Sequence, residues 1–121
     1  MSEIIFSISS NSTDRQKKIH DGIEELRTLI PNLKYSEPFT SDCFDGNGLE
    51  YLTVAAKGET SFGIDRIEVF IKAFEWNIGR DRDNEKDGVV NIDIDIVACD
   101  GKILKPRDYK APGFQKALKT I

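Results

Sequence analysis

Histidine and cysteine are scarce, with one of the former and two of the latter in 121 residues. His20 lies four residues after Gln16 and three before Ile23, in helical spacing, where a lone imidazole reads as a solvated surface group. Histidine-dependent nucleophilic triads are thereby close to excluded. Cys43 and Cys99 are far apart and neither has a second ligand pair nearby, which rules out a Cys-x-x-Cys zinc site and leaves two reduced thiols. No apolar run approaches the roughly 20 residues of a membrane helix. The opening Met1-Ser2-Glu3-Ile4-Ile5-Phe6 lacks the basic region and the length of a signal peptide, so a cytoplasmic location with no membrane partner is expected. Positive charge is also in deficit: 17 Lys and Arg against 21 Asp and Glu give a net charge of -4. That field opposes nucleic acid, and an anionic substrate needs a local cluster of cations.

What is present is ordinary globular material. Hydrophobic residues make up 39% of the chain, and its size fits one α+β domain over 1–121. Ile4 to Ile8 reads as a buried strand ending in the polar group Ser9 to Thr13. Thr13 and Gln16 form a capping box, and Ile19, Ile23, Leu26 and Ile30 follow at helical spacing, which predicts a helix over about 14–30. Leu33 to Phe39 and Glu50 to Lys57 read as strands. Ile64, Ile67, Ile71, Phe74 and Ile78 mark the strongest helix, with Thr60 or Ser61 placed to cap it and Gly79 to stop it. Val89 to Cys99 alternates as a strand, Asp100-Gly101 is a two-residue hairpin turn, Lys102 to Leu104 returns, and a short helix over 112–121 closes the chain. The order β-α-β-β-α-β predicts a ferredoxin-like sandwich with an added C-terminal hairpin strand and short helix, both main helices lying on one face of the sheet. The other face is then free for a ligand. Nothing in the sequence bears on oligomeric state.

The chemistry concentrates in Val90-Asn91-Ile92-Asp93-Ile94-Asp95-Ile96. With a side-chain period of two, the aliphatic residues point one way while Asn91, Asp93 and Asp95 point the other. Asp is depleted in strands, so the pair calls for either plain solvent exposure or a ligand. Their backbones lie about 6.6 Å apart at about 3.3 Å per residue, a spacing that suits magnesium ions shared with substrate phosphates. Upstream, Arg80 and Arg82 are either a solvated pair beside Asp81 and Asp83 or two guanidinium forks on one polyphosphate. Gly46-Asn47-Gly48 lacks the length and ending of a P-loop. Asp83 to Gly88 imitates half a calcium loop, but the twelfth position is Ile94.

Ser9-Ser10-Asn11, Tyr51-Leu52-Thr53, Gly79-Arg80-x-Arg82 and Asn91 to Ile96 together resemble the hydroxymethyl-dihydropterin pyrophosphokinases of folate synthesis, from about residue 4 to 118. The resemblance implies transfer of diphosphate from ATP to the hydroxymethyl group of a reduced pterin, with Mg2+ held by Asp93 and Asp95. It further implies phosphate contacts from Arg80 and Arg82, an ATP-site acid at Glu75, a nucleotide contact from Arg107, a pterin pocket beside Tyr51 and Thr53, and a stacking ring at Phe114 in the Gly113-Phe114 pair. Several positions depart from the family pattern. Thr53 stands where the family reads pterin with Asn, Asp87 and Val90 replace a Trp and an Arg, and the Pro-His expected after Arg107 is missing. The alternative is a ferredoxin-like ligand-binding or regulatory module that has lost the kinase activity. In the first case Asp81 to Gly88 is expected to be among the most mobile segments of the free protein and to become ordered with nucleotide.

Overall fold

The computed structural model describes residues 1–41, 50–78 and 90–121. The chain runs β1 (Ser2–Ser10), α1 (Arg15–Leu29), β2 (Lys34–Tyr35), β3 (Phe39–Ser41), β4 (Tyr51–Thr60), α2 (Ile64–Asn77), β5 (Asp93–Cys99), β6 (Lys102–Ile103), α3 (Pro106–Tyr109) and α4 (Pro112–Leu118). The strands form one antiparallel sheet in the order β2-β4-β1-β5-β6, with β3 also paired to β4. This is a mixed α+β fold of an antiparallel sheet and four helices among the described residues. None of those helices is long and apolar enough to cross a membrane.

Period-two alternation explains both faces. Ile4, Phe6 and Ile8 of β1, Leu52, Val54 and Ala56 of β4, and Ile94 and Ile96 of β5 face the main core, where Ile19, Ile23 and Leu26 of α1 and Ile67 and Ile71 of α2 cover them. The opposite face begins apolar and ends polar. Ile5, Ala55, Val97 and Ala98 form a second, smaller core under Phe114 and Ala117 of α4, while Ser7, Ser9, Thr53, Asp93 and Asp95 continue the same face toward the other end of the strands. The face expected to be open is therefore half covered by the C-terminal helices.

The expected element boundaries need correction at several points. Neither helix carries the predicted side-chain cap: Asp14 and Gly63 occupy the N-cap positions of α1 and α2, and neither makes a side-chain capping bond. Thr13 is exposed, and Thr60 instead accepts the Phe62 N–H at 3.1 Å in the turn that ends β4. The single strand expected over 33–39 is split. Ser36 donates its N–H to the Ala55 carbonyl at 2.8 Å, and its hydroxyl accepts the Ala55 N–H at 3.0 Å, so a side chain replaces one rung of the ladder before Pro38. The strand read from Val89 begins at Asp93; Val90 is instead clamped by Asn11, whose N–H donates to the Val90 carbonyl at 3.1 Å and whose Oδ1 accepts the Val90 N–H at 2.5 Å. The one-turn helix α3 was not predicted. Gly79 and the segment 81–88, read as a helix stop and as a segment ordered by nucleotide, lie outside the described residues.

Two backbone features shape the C-terminal end of β5. Asp100 and Gly101 adopt φ of 50° and 79°, the left-handed pair that a tight two-residue turn between twisted strands requires. Between β1 and β5 the register jumps from Ile5↔Ala98 to Phe6↔Ile96, so Val97 is an extra residue, a β-bulge. Its carbonyl accepts the N–H groups of Leu104 at 2.9 Å and Lys105 at 3.2 Å, which ties the start of the C-terminal segment to β5.

Candidate active site

A cavity of about 250 Å³ lies over the polar half of the second face. Its floor is Ser7 and Ser9 of β1, Thr53 of β4, and Asp93 and Asp95 of β5; Tyr51, Phe39, Arg107, Asp108, Ala111 and Phe114 form its walls. The register accounts for the floor, because Ser9 pairs across β1 with Asp93 on one side and Thr53 on the other, and Ser7 pairs with Asp95. Ser9 and Thr53 share a hydroxyl–hydroxyl bond of 2.9 Å. Six residues singled out in the sequence therefore line one cavity: Tyr51, Thr53, Asp93, Asp95, Arg107 and Phe114. Arg80 and Arg82 lie outside the described residues.

Phe114 does two things. It is 2% exposed and anchors the second core, and it also contributes cavity wall, with the Tyr109 ring 6.3 Å away at a tilt of 52°. Gly113 has a steric reason, since a Cβ there would approach the Phe39 ring to 3.1 Å. The ring of Phe39 thus packs closely against the start of α4, and any larger residue at position 113 would require it to shift by a few tenths of an ångström.

A second recess, about 350 Å³, opens at the edge of β5 on the side of α2. Asp93 and Asp95 line it as well, together with Glu68, Ile71, Lys72, Glu75, Ile94, Ile96 and Lys105. Glu75 falls on the apolar stripe of α2 and is 5% exposed; its Oε2 accepts the Ile94 N–H at 3.0 Å, a backbone donor on the strand edge that β6 does not reach. The helical pattern contained this residue, but only the assembled sheet edge shows what it satisfies.

The two aspartates differ electrostatically. Burial and the neighbouring Asp95, with Glu75 behind it, push Asp93 up to about 7. Asp95 meets Lys105, Nζ to Oδ1 at 2.6 Å, and this contact holds the lysine above its usual range. Lys105 was missed in the sequence, where it sits in an undistinguished Lys-Pro-Arg run. Ser7 was also missed and Ser9 entered only as part of the Ser9-Ser10-Asn11 motif, although their alternation with Phe6 and Ile8 marks both as facing away from the main core.

These residues fit a hard divalent cation in part. The donors are two carboxylates on one face, all oxygen, and burial together with the neighbouring Asp95 raises Asp93, so a cation bound between them would favour its charged form. Among the described residues no group of three or more acidic, His or Cys side chains forms a complete cage. Two carboxylates with the remaining positions left to water and phosphate is the pattern that suits magnesium.

The charge arrangement has a consequence for stability. An acid with a raised folded pKa binds more protons folded than unfolded, so in free protein the Asp93 contribution falls as pH rises from about 4 through about 7 and then levels off. Comparing urea midpoints at pH 5 and pH 8 is expected to show wild type losing stability relative to Asp93→Asn, at a rate on the order of 1 kcal/mol per pH unit inside that window. Parallel pH profiles for the two proteins would contradict the assignment.

Fold and site together define an α+β protein with an antiparallel sheet, its two long helices on one face, and on the other a hydroxyl- and carboxylate-floored cavity bordered by the short C-terminal helices. Residues 5–117 match the family model of 7,8-dihydro-6-hydroxymethylpterin-pyrophosphokinase, and the chain belongs to that family. The family comprises pterin pyrophosphokinases of folate biosynthesis, which use ATP as co-substrate. A search of curated proteins finds none that matches.

Proposed function

We propose that the protein, acting as one domain over 1–121, catalyses ATP-dependent, magnesium-requiring transfer of diphosphate to the hydroxymethyl group of a reduced pterin or a similar alcohol. The observation that carries this reading is the position of Asp93 and Asp95, which line both the cavity and the second recess. A diphosphate passed from a nucleotide on one side to an alcohol on the other crosses these two carboxylates. The smaller cavity, with aromatic walls and a hydroxyl floor, suits a flat heterocycle with hydrogen-bonding edges. The recess at the β5 edge, with Lys72, Lys105 and Glu75, suits the nucleotide. The sheet order β2-β4-β1-β5-β6 supports reading the fold as a ferredoxin-like sandwich, an arrangement in which both main helices leave this face to ligands.

In the reaction the hydroxymethyl oxygen attacks the β-phosphorus, the bond between that phosphorus and the oxygen bridging to the α-phosphate breaks, AMP leaves, and the hydroxyl proton passes to solvent. Magnesium, when bound by Asp93 and Asp95, supplies charge neutralisation on the phosphate oxygens. The chain's own residues position the partners. Tyr51, Thr53 and the Phe114 ring hold the heterocycle so that its hydroxymethyl group faces the aspartates, and Arg107 at the rim, with Arg80 and Arg82 by family resemblance, balances phosphate charge. Thr53 retains a donor and an acceptor where the family has an amide, but it lacks the bidentate amide edge, so it can hydrogen-bond a ring other than a pterin equally well. No protein nucleophile is needed.

Incubating the protein with ATP, Mg2+ and 6-hydroxymethyl-7,8-dihydropterin is expected to release AMP in equal amount with diphosphorylated pterin. Formation of ADP instead of AMP, or no turnover with ATP analogue still bound, would overturn the transfer. The second outcome would favour the non-catalytic module suggested by the departures at Thr53, Asp87 and Val90.

A further inference from the structure

We propose that Lys105 is an internal counter-ion that competes with a divalent cation for Asp95 and so keeps the cation affinity of the free protein low. The inference rests on the reading of Asp93 and Asp95 as cation ligands. Lys105 Nζ lies 2.6 Å from Asp95 Oδ1, within the distance of a charge-assisted hydrogen bond, so the ammonium occupies one of the few carboxylate oxygens available to a metal. Its approach is built into the backbone. The bulge at Val97 presents a carbonyl that accepts the Lys105 N–H at 3.2 Å, which seats the lysine beside β5 two residues beyond Asp95. A free tail would pay side-chain entropy to reach the same place.

The pair is also displaceable. The lysine side chain is 48% exposed and that of Asp95 23%, so solvent screens the contact and a divalent ion can replace it. Lys105 additionally lines the β5-edge recess, where its ammonium, once released, would meet the phosphate oxygens of a nucleotide bound there. Cation entry with nucleotide therefore exchanges one counter-ion for another, whereas cation entry alone must leave a displaced ammonium beside the same carboxylates.

Mn2+ binding to the nucleotide-free full chain, followed by electron paramagnetic resonance, tests this directly. Lys105→Gln is expected to bind Mn2+ roughly two- to fivefold more tightly than wild type, the fold-change that loss of a partly exposed ion pair implies. Lys105→Arg, which keeps the charge and can keep the contact, is expected to stay near wild type. The gain is expected to vanish when Lys105→Gln is combined with Asp95→Asn. Unchanged or weaker Mn2+ affinity in Lys105→Gln, no Mn2+ binding by either protein, or an undiminished gain without Asp95 would each overturn the proposal. Failure to form AMP in the transfer assay would defeat the pyrophosphokinase reading and leave this comparison intact, because it uses neither nucleotide nor pterin.

Discussion

Phe114→Ala is expected to destabilise the protein by about 3–5 kcal/mol, the usual cost of truncating a buried aromatic ring to a methyl group. The ring is 2% exposed and is the largest side chain among the buried members of the second core, which are otherwise Ile5, Ala55, Val97, Ala98 and Ala117. Three of these are alanines, and a strand floor cannot move to refill the space, so the cavity left behind stays open. The effect extends to the site, because α3, α4 and the link between them carry Arg107, Asp108 and Ala111 as well as Phe114 into the cavity wall. Urea denaturation measures the loss, and hydrogen exchange is expected to show it concentrated in residues 106–121 and in the strand residues beneath. Phe114→Leu, which restores most of the volume, is expected to recover most of the stability. A change below about 1 kcal/mol in Phe114→Ala would mean that the helix is not held by this core.

Asp95→Asn is expected to lower diphosphate transfer by at least about 10²-fold while leaving stability within about 1 kcal/mol of wild type. A magnesium ligand that loses its charge forfeits part of a contribution of several kcal/mol to transition-state charge stabilisation. Folding loses less, because the Lys105 pair is partly exposed and removing the Asp95 charge also relieves its repulsion of Asp93. Initial rates of AMP formation, together with binding of an ATP analogue with and without Mg2+, measure the first effect. Retained magnesium-dependent binding in this variant would overturn the assignment of Asp95.

Much of this was legible without coordinates because the governing periods are local. Alternation over Ile92 to Ile96 placed Asp93 and Asp95 on one face, and the structure puts Ile92, Ile94 and Ile96 in the core opposite them. The 3.6-residue period gave α1 and α2 to within a residue at most ends. Capping was misjudged because a Thr or Ser near a helix start competes with other local bonds, and here Thr60 closes a turn while Asp14 and Gly63 sit at the N-caps.

The sequence by itself determined the two aspartates' shared face, the apolar stripes that fill the main core, and the family to which the chain belongs. Tertiary structure alone decided that the second face is half covered, that Glu75 satisfies an edge N–H of β5, and that Lys105 reaches Asp95. The reason is one of range. Periodicity fixes direction within an element, whereas these contacts depend on where separate elements meet, and a single extra residue at Val97 sets the path by which the last segment returns across the sheet.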